Sequence, residues 1–323
     1  MVAVIYTHSH ADHFGGVLGV TTREDVAAGR CRVIAPEHFL RETIEENVIA
    51  GFAMLRRAAY QFGPLLPAGP RGHVDCGLGM GVPFWPSDLI APTEEITATG
   101  QELVVDGVRI VFQLTPEAEA PAEMNFFFPD HGWLCTAENC THTMHNLVPI
   151  RGAHVRDALR WSKYIDEMIE LFGADIELMF ASHHWPRWGN DDVLGYLRLQ
   201  RDLYRWIHDQ TLRFANHGMT ALEIAEHLEL LRLHEQRVLL LTVAQSRARL
   251  GGDLALALLE QVGDAHHVAV IAAVQEEAVD RLRQVGADRQ MAKHLMELRH
   301  ADDADRLVGR AALAKTEEDR DAG

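Results

Sequence analysis

The amino-acid sequence predicts an α/β fold, in which strands and amphipathic helices form separate layers around a common core. Three observations support this prediction. A short β-branched apolar run lies at residues 2–6, alternating segments separated by turns fill residues 102–136, and helical periodicity interrupted by one strand extends over residues 153–231. The 323 residues, of which 47% are apolar, are enough to build a large core.

The first third of the chain predicts two strands, one long helix and two loops. Residues 2–6 form a buried strand that ends in the polar loop 7–16, and residues 32–35 form a second strand. Helical spacing extends over residues 36–62. One apolar side of this helix contains Phe39, Ile44, Val48, Phe52 and Leu55. The Gly- and Pro-rich residues 63–86 predict an ordered surface loop.

The middle third predicts two pairs of antiparallel strands. Residues 102–114 alternate around Asp106 and Gly107, a two-residue signal for a β-hairpin turn. Residues 125–128 and 133–136 form the second pair around a short turn. Strands therefore dominate this part of the chain.

The following segment predicts three helices and one strand. The helices cover residues 153–172, 191–215 and 221–231, and the strand covers residues 176–181. Thr220 and Glu223 form the capping-box signature at the start of the last helix. Beyond residue 231 the chain contains no Phe, Tyr, Trp or Pro, so its character changes there.

Composition excludes several classes of partner. The formal net charge is -17, and no basic run interleaved with aromatic residues is present, so we expect no nucleic-acid partner. No apolar run reaches the roughly 18–20 residues that span a bilayer, so we expect no membrane span. Residues 1–6 are too short for a signal peptide, which makes the cytoplasm the default location.

The loop Y-T-H-S-H-A-D-H-F-G-G near the start of the chain predicts a metal site. Its ligand-type residues are His8, His10, Asp12 and His13. Imidazole and carboxylate groups at this spacing suit two zinc-class ions a few ångströms apart. Further ligands must come from distant strand ends, and the candidate segments are A-E-A-P-A-E at 118–123, T-A-E-N at 136–139 and S-H-H-W-P at 182–186.

These segments resemble the metallo-β-lactamase superfamily and, within it, the zinc-dependent alkylsulfatases. The resemblance extends over residues 4–230 and includes THSHADHFGG, AEAPAEMNFFFP, AENCTHTMHN, IRGAHVRDALRWSKYIDE and ASHHWPRWGN. It implies a four-layer αββα sandwich over residues 1–190, with an incomplete first half. Residues 191–231 then resemble the start of a helical dimerisation domain, which implies a homodimer.

The resemblance also implies a ligand set for two Zn²⁺ ions. His8, His10 and Glu119 would hold one ion, while Asp12, His13, Glu138 and His183 would hold the other or bridge the two. Asp12 would help to hold the bridging water. Glu123 or His184 remains open as an alternative ligand, and Glu117 and Glu123 are otherwise expected to be solvated loop carboxylates.

The implied reaction is hydrolysis of alkyl sulfate esters such as dodecyl sulfate. Arg151 matches an arginine implied in sulfate binding, with a surface salt bridge as the alternative. His142 and His145 lie three positions apart, so a helical turn would direct both to the site as a general acid or a sulfate donor. Tyr6, Trp133, Trp161 and Trp185 are expected to be core aromatics.

Two further expectations concern the extent of the family-like region. The metal motif lies at the chain start, which predicts that strands of the first half are missing and that a signal peptide for periplasmic location or secretion could have been lost with them. Residues 232–323 do not resemble the family, and we hypothesise a frameshift near Leu231. The alternative functions are an inactive fragment of such an enzyme, or a hydrolase of the same fold that acts on another ester.

Overall fold

A computed structural model describes residues 1–74 and 87–228, all within one compact unit. A small parallel sheet contains β1 (Ala3–Ile5), β2 (Arg32–Pro36) and β3 (Glu94–Ile96), with β2 in the centre. The strand predicted at residues 2–6 is therefore present, and on one side it pairs with β2. Its three residues are partly exposed at the edge of the sheet.

A second, larger sheet contains six strands, which lie side by side in the order in which they occur in the chain. Its strands are β4 (Glu102–Val105), β5 (Val108–Leu114), β6 (Met124–Phe128), β7 (Trp133–Cys135), β8 (Leu178–Phe180) and β9 (Arg187–Trp188). All neighbours are antiparallel except β7 and β8, which are parallel because helix α4 (Ala158–Phe172) connects them. The predicted hairpin is confirmed, and its turn has positive φ at Asp106 (51°) and Gly107 (82°).

Side-chain alternation places the two sheets face to face between helical layers. Ile34 and Ile96 of the small sheet pack against Phe112, Met124 and Phe126 of the large sheet. The other face of the large sheet packs on α4 and α5 (Asn190–Asn216). The other face of the small sheet packs on α1 (Arg23–Ala27) and α2 (Phe39–Ile44). This arrangement is the predicted αββα sandwich.

Helix α4 begins five residues later than periodicity predicts. Asp157 adopts an extended conformation and its carboxylate accepts hydrogen bonds from the amides of Leu159 and Arg160, which caps the first turn. Residues 153–157 are instead an irregular loop. The later start matters because this loop carries Arg156 into the interior.

The helical segment after β2 is only partly packed. A π-helical turn, Glu45–Ile49, separates α2 from α3 (Gly51–Phe62). Phe39 is fully buried, as predicted, but Val48, Phe52 and Leu55 are 69%, 85% and 59% exposed. Of the five residues on the predicted apolar side, only Phe39 is therefore buried, although the helical conformation is confirmed over α2, the π-helical turn and α3.

The described residues end within the predicted dimerisation region. Helix α5 matches the expected span, and α6 (Ala221–His227) begins with the predicted capping box at Thr220 and Glu223. No helix in these residues is long and apolar enough to cross a membrane. The predictions for residues 75–86 of the surface loop and for residues 229–323, including the frameshift, lie outside the described part of the chain.

Candidate metal centre

The loop after β1 is attached by its backbone to the start of β6. The Ser9 amide donates to the Ala122 carbonyl (3.2 Å), and the Met124 amide donates to the Thr7 carbonyl (3.0 Å). Glu119 lies in the loop between β5 and β6, Glu138 lies in the turn after β7, and His183 follows β8. Loops from both sheets therefore converge at one end of the sandwich, as a site assembled from distant segments requires.

Four side chains form what we call the buried group: His8, His10, Glu119 and Glu138. Each offers one ligand-type atom, and these atoms lie within 4.8 Å of one another. The Glu119 Oε2 atom lies 2.9 Å from His10 Nδ1 and 3.4 Å from His8 Nε2, and His8 Nε2 lies 3.5 Å from Glu138 Oε2. Imidazole nitrogens and carboxylate oxygens at these positions can surround one metal ion.

Three further side chains form what we call the rim group: Asp12, His13 and His183. Asp12 Oδ2 lies 3.1 Å from His13 Nε2 and 3.4 Å from His183 Nε2. The two groups meet at Glu138, whose Oε1 lies 2.9 Å from His183 Nε2. Glu138 therefore lies between the two groups.

Lowered pKa values keep the imidazoles of the buried group neutral, so their nitrogen lone pairs are available to a metal ion. Burial, assisted by the nearby His13, lowers the pKa of His8 to about 4. Burial and the nearby Arg151 lower the pKa of His10 to about 3. Both rings are therefore neutral at neutral pH, which is the protonation state that binds a metal.

The rim group shows the opposite shift. Burial lowers the pKa of His183, but the Asp12 and Glu138 carboxylates outweigh it and raise the value to about 10. Burial raises the pKa of Asp12, but His13 and His183 hold it well below its usual range. A positive charge is thus favoured where these carboxylates converge, and a metal cation would satisfy the same charges.

Buried atoms without hydrogen bonds provide a test of metal fit. Among the buried side-chain atoms of the described residues that make no hydrogen bond, three belong to residues next to one another in this centre: His8 Nε2, Glu119 Oε2 and Glu138 Oε1. Such atoms are costly in a folded protein unless a ligand or ion satisfies them. All three belong to the buried group, so its donors fit a metal ion in chemistry and in position.

His145 joins this centre, whereas His142 does not contact either group. The His145 Nδ1 atom lies 3.1 Å from the Asn146 carbonyl, and its Nε2 lies 3.5 Å from Glu119 Oε1. The predicted helical turn is absent in this segment. The His142 ring packs against Trp185 instead, with ring centroids 4.9 Å apart. The expectation that both histidines face the site is therefore wrong for His142.

Arg151 lies beside the buried group and is paired with a carboxylate that sequence reasoning missed. Its Nη2 atom lies 2.7 Å from Glu46 Oε1, and Glu46 Oε2 lies 3.6 Å from His10 Nε2. The Arg151 side chain is 13% exposed, so the alternative of an ordinary surface salt bridge does not describe it. Glu46 belongs to the π-helical turn, a feature that is frequent at functional sites.

The two alternative ligands, Glu123 and His184, each have other neighbours in the structure. Glu123 is fully buried, so its expected solvated position is wrong, and its carboxylate accepts hydrogen bonds from backbone amides. The His184 ring instead lies near His142 and Trp185. Glu117 is exposed and paired with Arg160, as predicted for a loop carboxylate.

Trp133 and Trp185 are 44% and 64% exposed, which corrects their assignment to the core, while Tyr6 and Trp161 are buried.

Arg156 is the other residue that sequence reasoning missed. Its guanidinium pairs with Glu119 Oε1 and donates to the carbonyls of Glu119 (2.6 Å) and Asn146 (2.8 Å). It is 4% exposed. Its place in the family-like block I-R-G-A-H-V-R-D was the available signal, but periodicity assigned residues 153–157 to a helix.

The chain is similar in sequence to two known sulfatases. Over 230 residues the chain is 50% identical to a linear primary-alkylsulfatase of Pseudomonas sp., a match that covers 71% of this chain and 34% of that protein. An alkyl/aryl-sulfatase of Saccharomyces cerevisiae is 48% identical over 227 residues, covering 70% of this chain and 35% of that protein. The chain therefore spans about a third of the length of these relatives.

A solved structure and a superfamily match complete the comparison. The stereoselective inverting sec-alkylsulfatase Pisa1 of Pseudomonas sp. is 36% identical, with a TM-score of 0.72 over 88% of this chain and 49% of that chain. Residues 2–183 match the metallo-β-lactamase superfamily, which is more than half of the sequence and includes every residue of both groups. Fold, site geometry and these matches together establish that the chain belongs to the metallo-β-lactamase superfamily.

Proposed function

We propose that this chain hydrolyses alkyl sulfate esters, such as dodecyl sulfate, at a binuclear zinc centre. The observation that carries the proposal is the pair of adjoining imidazole and carboxylate groups joined by Glu138. These groups lie within residues 2–183, which match the metallo-β-lactamase superfamily, and the chain is 50% identical over 230 residues to a linear primary-alkylsulfatase. An alkyl sulfate is therefore the substrate class that the relatives favour.

The residues of the two groups would hold one ion each. His8, His10 and Glu119 would bind the first ion, and Asp12, His13 and His183 the second, with Glu138 reaching both. When bound, two zinc ions lower the pKa of water toward about 7 and neutralise anionic charge. The neutral state of His8 and His10 prepares them for this role.

Asp12 is the candidate that orients the attacking water. Its side chain is 39% exposed, whereas no residue of the buried group exceeds 6%. His13 and His183 keep its pKa well below the usual range, so the carboxylate is ionised and accepts hydrogen bonds at neutral pH. A water in contact with Asp12 can therefore be held beside the centre while remaining accessible to substrate.

Arg151 is the candidate that binds the sulfate group. Guanidinium presents a planar set of donors that matches paired oxyanion oxygens. Glu46 orients the Arg151 guanidinium next to His10. The same ion pair sets the direction of the other N–H donors of the guanidinium. Sulfate binding would therefore place the ester beside the buried group.

His145 is the stronger of the two histidine candidates for proton transfer. A carbonyl oxygen only accepts, so the contact with Asn146 places a proton on Nδ1 of the ring. Protonation of the neutral ring then adds a proton at Nε2, the atom nearest to Glu119. We propose His142 only as a substrate contact, because its ring packs against Trp185 rather than against either group.

The helices α5 and α6 support a second part of the proposal. Residues 191–231 would form the start of a dimerisation region and make the active protein a homodimer. Helix α5 is 27 residues long, and α6 follows it after the non-helical residues 217–220. Sedimentation of the full chain at several concentrations would show whether a dimer forms.

Metal content and sulfate release test the function directly. We expect about two zinc equivalents in the purified chain and release of sulfate from dodecyl sulfate. His183→Asn should lose activity, whereas His184→Asn, one position away, should retain it because His184 belongs to neither group of ligand-type residues. Zinc binding with hydrolysis of a phosphate, thioester or lactam but not of dodecyl sulfate would reject the substrate class. A chain without zinc or turnover would identify an inactive fragment.

A further inference from the structure

We infer that Glu123 is a positioning residue that holds the buried group in place through backbone amides, and this inference rests on the proposed metal centre. Glu123 is fully buried, with no exposed surface. It carries ligand-type oxygens within the same segment as Glu119. Its contacts, however, assign it a different task from that of a metal ligand.

Both carboxylate oxygens of Glu123 are used by the backbone. Oε2 accepts hydrogen bonds from the amides of Glu119 (2.9 Å) and Ala120 (3.3 Å). Oε1 accepts from the amide of Glu138 (3.3 Å). One side chain therefore connects the β5–β6 loop to the turn after β7, and these two segments carry the two carboxylates of the buried group.

The backbone of Glu123 connects a third segment. It forms an antiparallel bridge with His8, the first histidine of the buried group. The Glu123 carbonyl also accepts a hydrogen bond from the Thr115 amide at the end of β5 (2.9 Å). Three of the four residues in the buried group, Glu119, Glu138 and His8, are thus themselves paired with Glu123.

The rim group is not tied in this way. Among the described residues, the hydrogen bonds of the Glu123 side chain all go to amides of the two segments that carry the buried carboxylates. His183 lies on another segment, and Asp12 and His13 lie farther along the loop of His8, so His13 and His183 reach the side-chain hydrogen bonds of Glu123 through Glu138. The two proposed metal positions should therefore differ in how strongly they depend on Glu123.

Replacement of Glu123 should weaken one zinc position more than the other. Glu123→Ala leaves three buried amides without an acceptor, so the Glu119 and Glu138 segments lose their common anchor. We expect the zinc affinity of the buried position to fall by about 10–100-fold, which is the range typical when a residue that orients metal ligands is replaced. Glu123→Gln keeps one oxygen acceptor and should recover part of the loss.

Stepwise zinc affinity of the full chain, measured by chelator competition, tests this difference. The matched control is Glu117→Ala, which removes an exposed carboxylate from the same loop and should leave both zinc affinities unchanged. Equal affinities in wild type and Glu123→Ala would overturn the inference. An equal loss at both positions, or no recovery in Glu123→Gln, would do the same because it would indicate only general destabilisation.

Hydrogen exchange of the wild-type chain provides a measurement that does not require a folded variant. In the metal-free protein, the amides of Glu119, Ala120 and Glu138 should exchange at least about 10-fold more slowly than exposed loop amides, because Glu123 already holds them. Rapid exchange of these amides would overturn the inference. A wild-type chain that shows this protection but binds no zinc would reject the proposed function and leave the positioning role of Glu123 intact.

Discussion

The buried group and the rim group use the same side-chain chemistry but are built differently. His8 and Glu119 are at most 1% exposed, whereas Asp12 is 39% exposed and His183 is 14% exposed. Neighbours outside the group, including Arg156 and Glu123, fix the carboxylates of the buried group. The rim side chains contact one another and, through His13 and His183, Glu138 of the buried group. One position is thus organised before a ligand arrives, while the other remains open to solvent.

The largest expected difference between the groups appears when one histidine is removed from each. His8→Ala removes a fully buried, neutral imidazole that would bind the ion directly, so zinc affinity at the buried position should fall by more than about 100-fold. His183→Ala should lower affinity at the rim position while the buried position still binds. Equilibrium dialysis with zinc quantifies both positions, and identical losses in the two variants would contradict the distinction.

Removal of Arg156 should be the next largest perturbation. Arg156→Met leaves the Glu119 carboxylate and two carbonyls without their buried donor, so the free energy of unfolding should fall by about 3–5 kcal/mol. Arg160→Met is the matched control because Arg160 is 47% exposed, and it should cost at most about 1 kcal/mol. Urea unfolding of the metal-free chain measures both values, and similar losses would argue against a special role for Arg156.

The free energy of unfolding of the metal-free chain should depend on pH in opposite directions for the histidines of the two groups. Unfolded histidines titrate near 6.5, but His8 and His10 stay neutral in the fold until about pH 4 and 3, so acid stabilises the unfolded state. The expected loss is about 2 kcal/mol for each of these residues between pH 7 and pH 5. His183 holds its proton up to about pH 10, so its contribution is present below pH 6.5 and is lost as pH rises toward 10.

Urea unfolding with a chelator at pH 5, 7 and 9 tests this pattern. We expect the highest midpoint near pH 7 and lower midpoints on both sides. His183→Asn should remove the alkaline decrease and retain the acid decrease. A wild-type midpoint that rises continuously from pH 5 to pH 9 would show that the rim carboxylates do not hold a proton on His183.

The smallest expected effect comes from a turn remote from both groups. Gly107 has φ of 82°, so Gly107→Ala should lower the free energy of unfolding by about 1 kcal/mol through backbone strain alone. Zinc affinity at both positions should stay at the wild-type value. A loss of zinc affinity in this variant would mean that general destabilisation, rather than local structure, governs the measurements above.

Local signals in the sequence predicted much of this molecule. The β4–β5 hairpin was predictable because Asp106 and Gly107 adopt positive φ readily. The capping box at Thr220 was predictable because it depends on residues three positions apart. The H-x-H-x-D-H motif was predictable for the same reason, since four ligand-type side chains lie within six positions. In these cases the interacting groups are close in the chain.

Predictions failed where contacts between distant segments decide the outcome. Glu46 and Arg151 are separated by 105 positions, and Arg156 and Glu119 by 37, so neither pair is visible in a local pattern. Phe52 has the spacing of a core residue but is 85% exposed, because packing opposite a helix face depends on other elements. His142 and His145 differ in direction because their segment is not helical.

By itself, the sequence determined the layered α/β fold and the chemical type of the site, because strand alternation, helix periodicity and a short histidine-aspartate motif are local properties. Only the tertiary structure decided which carboxylates join that motif. Glu119 and Glu123 occur in one loop and have the same chemistry, yet one faces His10 and the other faces backbone amides. That choice follows from how the β5–β6 loop packs against the turn after β7, and burial then requires each oxygen to have its own partner.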